Sequence, residues 1–152
     1  MSWPPISQLV PYKEPMCLLD RVVSHTPELT CCAVHPEASG LFLDGDLGVP
    51  AWVGIEYLAQ CVAAHAGLCA RDRGEEPPMG LFLGSRHLDL RVATLPRDQE
   101  LLAHARQLRG NEARLQTFAC TLLPRAGAPA WIEGNLNVML LDRSLSPTSA
   151  TA

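Results

Sequence analysis

Lysine is almost missing from this 152-residue sequence: Lys13 stands against eleven arginines, and an acidic excess leaves a net charge of −4. A chain with that balance and a pI near 5.7 lacks the basic footprint of a nucleic-acid binder. The six cysteines, at 17, 31, 32, 61, 69 and 120, form no C-x-x-C pair, so neither a zinc site nor a redox dithiol is indicated. They read as buried small hydrophobes of a reducing compartment, and a cytoplasmic location is expected. The opening M-S-W-P-P-I-S-Q has no basic region and no long apolar core, so no secretory signal is expected there. No membrane span is expected either, because Glu56, Gln60 and His65 interrupt the longest apolar stretch. A glycine-rich phosphate loop is also missing, since G-L-F-L-G lacks the required spacing and lysine. Neither a repeat nor a second domain is visible. One domain over 1–142 is expected, followed by a small, polar, disordered tail over 143–152.

What is present is one long helical pattern. D-G-D-L-G, at 44–48, is a turn, because Gly45 and Gly48 supply backbone freedom and aspartate tolerates turn geometry. Pro50 suits a first helical turn, where its missing N–H costs nothing. From Trp52 to about Ala70 there is no proline, and Ile55, Leu58, Ala59, Val62, Ala66 and Cys69 recur at the spacing of one apolar face. At roughly 100° per residue, Glu56, Gln60, Ala63 and Gly67 share a narrow second stripe, polar at its start and small beyond. His65 falls on nearly the opposite side. A carboxylate on such an apolar helix either favours the positive N-terminal end or has a chemical task.

Around the helix the chain reads as strands. Residues 16–25 and 29–34 form two, after a single helical turn at 6–9. Residues 79–92 form a strand bent at Gly84, in which Leu88, Leu90 and Val92 alternate with His87, Asp89 and Arg91 as on a sheet with one wet face. Residues 101–108, 115–123 and 130–141 complete the set, with Gly110-Asn111 as a hairpin tip. Short turns imply antiparallel neighbours, and a lone apolar helix needs a curved sheet to wrap it. The expected fold is therefore α+β, an antiparallel sheet of five to six strands around one long helix. This is the hotdog architecture.

Three stretches carry a more specific resemblance. L-V-P-Y-K-E-P-M-C-L-L-D-R-V, P-A-W-V-G-I-E-Y-L-A-Q and F-L-G-S-R-H-L-D-L-R-V-A-T-L-P-R-D-Q occur in that order across most of residues 9–99. They resemble the opening, active-site helix and central strand of the hotdog β-hydroxyacyl-carrier-protein dehydratases. The G-V-P-A-W-V-G-I-E-Y form is similar to a divergent branch found with aryl-polyene and related polyketide-type pathways. The resemblance implies dehydration of a 3-hydroxyacyl thioester, carried on acyl carrier protein or coenzyme A, with no metal or organic cofactor. It places Glu56 at the carboxylate that serves the departing hydroxyl and the Ala51 N–H at the donor to the thioester carbonyl. Gly48, Trp52 and Gln60 follow as substrate-contacting positions. It also implies pairing by sheet extension, in a homodimer or with another hotdog protein.

One departure stands out. The family's loop histidine, which takes the α-proton, is replaced by G-D-L-G, with Asp46 nearest its place and no histidine between His35 and His65. Three accounts stay open: Asp46 acts as a tuned base, a partner subunit supplies the histidine, or dehydratase chemistry is lost. The same fold serves thioesterases that use a helix carboxylate without that histidine, and it serves non-catalytic subunits of active pairs. Arg86, Arg91 and Arg97 suit either a solvated face or contact with an acidic carrier protein or its phosphate.

Overall fold

The computed structural model describes residues 2–109 and 114–141. Strands β1 (Arg21–His25) and β2 (Leu29–Val34) come first, followed by the short β3 (Val49–Pro50) and helix α1 (Val53–Asp72). Then come β4 (Met79–Gly84), β5 (Leu88–Leu90), β6 (Thr94–Leu95), β7 (Leu101–Arg109), β8 (Leu115–Leu123) and β9 (Ile132–Leu141). Seven of these strands make one antiparallel sheet in the order β1-β2-β7-β8-β9-β4, with β5 also paired to β9.

The alternation that builds the sheet is visible in β8, where Gln116, Phe118, Cys120 and Leu122 are buried and their neighbours are not. Phe118 and Leu122 meet Ile132 and Leu136 of β9, Ala103 and Ala105 of β7, and Leu58 and Cys61 of α1 in one core. The helix thus lies in the concave face of the sheet. By length and composition it would also serve as a membrane span, against the expectation that its polar residues forbid this. Its place is the core of the fold, with 67% of the span-like window buried.

The helix buries only part of the face its apolar periodicity suggests. Leu58 and Val62 of that face are buried together with Cys61, His65 and Leu68 outside it, whereas Ile55, Ala59, Ala66 and Cys69 are only half-buried. Gly54 and Gly67 set this orientation by close approach. A Cβ on Gly67 would run into the Leu9 carbonyl, and one on Gly54 into the side chain of Ile132.

Other elements differ from expectation in length. The first strand begins at Arg21, because residues 16–19 cross beneath α1 as a loop whose Cys17, Leu18 and Leu19 are buried. Residues 79–92 split into β4 and β5, both paired with β9, with Gly84 at φ +140° between them. The pair β3–β6, with Val49 opposite Leu95 and Pro50 opposite Thr94, forms a second small sheet that periodicity did not reveal. All six cysteines are free, and five are buried. The expected hairpin tip at Gly110-Asn111 and the tail over 143–152 lie outside the described residues.

Candidate active site

The D-G-D-L-G turn closes with the Asp44 N–H donating to the Gly48 carbonyl at 2.7 Å. Gly48 sits at φ +113°, and a Cβ there would collide with the Leu95 carbonyl. Only glycine permits β3 to approach β6 this closely. Its role is therefore backbone geometry at the helix entrance. Ala51 follows, and its N–H donates to the Ala93 carbonyl at 3.0 Å. The donor assigned by resemblance to the thioester is thus committed inside the protein. Trp52 and Val53 are the next residues of the helix start, where N–H groups lack carbonyl partners a turn earlier.

One turn into the helix, Glu56 is half-buried. Gln60, fully buried, holds it: the Gln60 Nε2 donates to Glu56 Oε1 at 3.0 Å and to the Met16 carbonyl at 2.8 Å. Gln60 Oε1 in turn accepts the Leu18 N–H at 2.9 Å. The buried loop at 16–18 and the carboxylate are therefore fixed to each other through one amide. Each of these groups would be costly to bury unpaired.

From Ala59, one turn beyond Glu56, a narrow, mostly apolar cleft of about 40 Å³ follows the helix, lined by Tyr12, Ala59, Ala63, Phe82, Phe118 and Leu140 among others. The half-buried, small-residue side of α1 forms its floor. At the far end the cleft meets a wider pocket of about 570 Å³ that shares Ala66, Pro78, Gln116 and Leu140 and reaches His65, Cys69 and Arg73. Glu56 and Cys69 are roughly 20 Å apart along the helix axis, so the wide pocket lies away from the carboxylate. Tyr12 is half-buried at the near end. Burial and the negative charge of Glu56 hold its phenol above the ordinary tyrosine pKa, and it is neutral at physiological pH.

Trp52 is 58% exposed at the helix start and meets Phe42 edge to face, with ring centroids 5.9 Å apart. Phe42 has a φ of +65°, rare for a bulky side chain. Neither feature of Phe42 has a sequence signature. Asp46 lies in the turn with its side chain wholly in solvent, and its charged neighbour is Arg97 at 3.8 Å. Arg97 also binds Glu37 and the Gly45 carbonyl. Nothing in this arrangement brings Asp46 into the Gln60–Glu56 network.

The five histidines have other places. His65 is buried on Phe118 with Nδ1 2.8 Å from Thr30 Oγ1, which also meets His25 Nδ1 at 2.7 Å. Burial, then the neighbouring His25, pushes the His65 pKa down to about 4, so it is neutral. His35 meets Glu100 at 3.1 Å, and His87 meets Asp89 at 3.0 Å in an exposed strip completed by Arg91 and Glu133. His104 lies on β7, half-buried, with its pKa lowered by burial and Arg106. Asp20, His35 and Glu100 come close enough for a metal, but Arg21 already pairs with both carboxylates at 2.9 Å.

A long helix wrapped by an antiparallel sheet, with a carboxylate tethered near the helix start, defines a hotdog domain. The family model described as ApeP-like, ApeP dehydratase, matches residues 4–147, and the chain belongs to that family. Among solved structures it is similar to the dehydratase heterocomplex ApeI:P from Xenorhabdus doucetiae, at 22% identity over 99% of both chains with a TM-score of 0.86. It is also similar to S. sahachiroi AziG, at 17% identity over 88% of this chain and 98% of that one, with a TM-score of 0.62. A mutant of the thioesterase PA1618 from Pseudomonas aeruginosa matches at 11% identity over 80% of both chains, with a TM-score of 0.58. No curated protein matches the sequence.

Proposed function

We propose that the chain is a 3-hydroxyacyl-thioester dehydratase subunit that works beside a second hotdog subunit. The observation that carries this is the Gln60–Glu56 pair, held on the helix one turn before the apolar cleft begins at Ala59, in a member of the ApeP-like dehydratase family. The substrate class is an acyl chain on the phosphopantetheine of a carrier protein, with coenzyme A as the other carrier. Fatty-acid or polyketide-type assembly is the setting. No metal or organic cofactor is needed for the step.

Elimination requires a base for the α-proton and an acid for the departing hydroxyl. Glu56, oriented by Gln60, serves as the acid. No histidine of this chain hydrogen-bonds to Glu56 or Gln60 or lines the cleft, and Asp46 faces solvent, which favours a base from a partner subunit. Strand β4 is a ready meeting place, being exposed along Met79–Leu83 and paired on one side by β9. An unpaired strand edge is a template for sheet extension. That the ApeI:P relative is a heterocomplex supports the same reading. The test is mass spectrometry of a 3-hydroxyacyl-carrier protein incubated with the chain alone and with its hotdog partner. Water should be lost with the pair, and an untouched substrate in both samples would contradict the proposal.

A second reading, thioester hydrolysis, is favoured by one observation: Glu56 has a positioned amide beside it and no histidine. Release of the free acid in the same experiment would select it.

A further inference from the structure

Building an enolate-like charge on a thioester oxygen requires a donor aimed at that oxygen. The donor implied by resemblance, the Ala51 N–H, is spent on the Ala93 carbonyl at 3.0 Å. The Trp52 and Val53 N–H groups remain at the helix start, and the cleft adds a side-chain donor. Tyr12 offers a hydroxyl in the right surroundings: half-buried, at the near end of the cleft, with Ala59 of the helix among its co-lining residues. Ala59 lies one turn after Glu56, on an adjacent part of the same face. The segment that carries Tyr12 is itself anchored to the site, because Gln60 binds Met16 and Leu18 a few residues later.

We infer that the Tyr12 hydroxyl is the hydrogen-bond donor to the thioester carbonyl oxygen, a catalytic group that works with Glu56 from the cleft that opens one helical turn away at Ala59. This rests on the dehydratase reading above. In the step, the partner's base takes the α-proton and the C–H electron pair moves onto the carbonyl oxygen, where the Tyr12 O–H donates to it. The pair then returns to form the Cα=Cβ bond as the Cβ–O bond breaks. The departing hydroxide takes the Glu56 proton and leaves as water. Proton exchange with solvent resets the base and Glu56. Tyr12 begins and ends neutral, which fits the way burial disfavours its phenolate.

Tyr12→Phe removes the donor and keeps the ring in place. With the variant assembled with the hotdog partner, turnover of a 3-hydroxyacyl-N-acetylcysteamine thioester should fall by about 10²–10³-fold in kcat relative to the wild-type pair, with KM little changed. Turnover within about twofold of wild type would overturn the assignment while leaving the dehydratase reading intact. No dehydration by the wild-type pair would remove both. A second measurement needs no turnover: phenolate absorbance titration of the Glu56→Gln variant, with Tyr12→Phe used to subtract Tyr57. The Tyr12 midpoint should move down when the carboxylate charge is removed. An unmoved midpoint means that the hydroxyl does not share the site with Glu56, and the inference fails.

Discussion

Gln60 is fully buried and uncharged, yet three hydrogen bonds make it the residue on which the site depends. Replacing it by leucine keeps the volume and strips the Leu18 N–H of its partner in a buried place. A loss of about 1–3 kcal/mol in stability is expected from such an orphaned group, read as a lower midpoint in urea. Activity should fall with it, because Glu56 loses its orienting donor. His65 gives a second residue-scale expectation. Its folded pKa of about 4 lies below the ordinary histidine value of 6.5, so protons bind the unfolded chain more tightly. The stability this contributes is complete above pH 6.5 and is lost as pH falls toward 4, by roughly 3 kcal/mol for a shift of this size. Urea unfolding from pH 7 to 4 should show that slope, and His65→Gln should flatten it. An equal slope in the variant would assign the acid sensitivity to other groups. At this scale Glu56 and Gln60 were legible, because four-residue spacing on a helix is a local property. The commitment of the Ala51 N–H was not, since its partner Ala93 comes from a distant strand. Tyr12 was hidden for the same reason, lying outside the helix that it faces.

Helix α1 shows how periodicity can find an element and miss its orientation. Apolar residues occur on several of its sides, so the stripe at Ile55, Leu58, Ala59, Val62, Ala66 and Cys69 looked like the core face, and only Leu58 and Val62 of it are buried. The seating is decided by size, with Gly54 and Gly67 pressed against Ile132 and Leu9. The half-buried alanines are left to line the cleft. Gly67→Ala tests this directly. On an open helix face the change would stabilise by about 1 kcal/mol. Against the Leu9 carbonyl, which belongs to the backbone and yields little, a net loss of about 1–3 kcal/mol is expected. Chemical denaturation that showed a gain would contradict the seating. Strand identity was legible in β8, where burial alternates, and in β2, a continuously buried run that stops at His35-Pro36, and the bounds of both match expectation. It failed for the two-residue strands β3 and β6, because a pair that short leaves no period to read. The loop at 16–18 was read as strand for its apolar content, although its burial serves the helix tether instead.

The whole molecule combines a buried helix, an apolar cleft along it and an exposed strand beside that cleft. Phe82 of β4 lines the cleft while Leu81 and Leu83 are about half exposed. A second subunit paired along β4 would cover these side chains and bring its own groups near the cleft. Leu81→Lys with Leu83→Lys places charge on that edge, a device that blocks strand pairing. Light scattering should then report a single chain in place of a pair, with dehydration lost and the helical circular dichroism kept. A pair that survived both lysines would place the interface elsewhere. The sheet-around-helix plan was legible in the sequence because it follows from one helix and many strands with short turns. The number of strands in the sheet and the free edge were not, since they depend on how residues 79–92 divide against β9.

The most direct test of the account is the fate of a 3-hydroxyacyl-carrier protein with the wild-type and Glu56→Gln forms, each assembled with the hotdog partner and followed by intact mass. The account predicts loss of one water with wild type and an unchanged substrate with the variant, both forms folding alike by circular dichroism. Equal dehydration by the two forms would contradict the central role of Glu56, and release of the whole acyl group by the wild type would replace the dehydratase with a thioesterase.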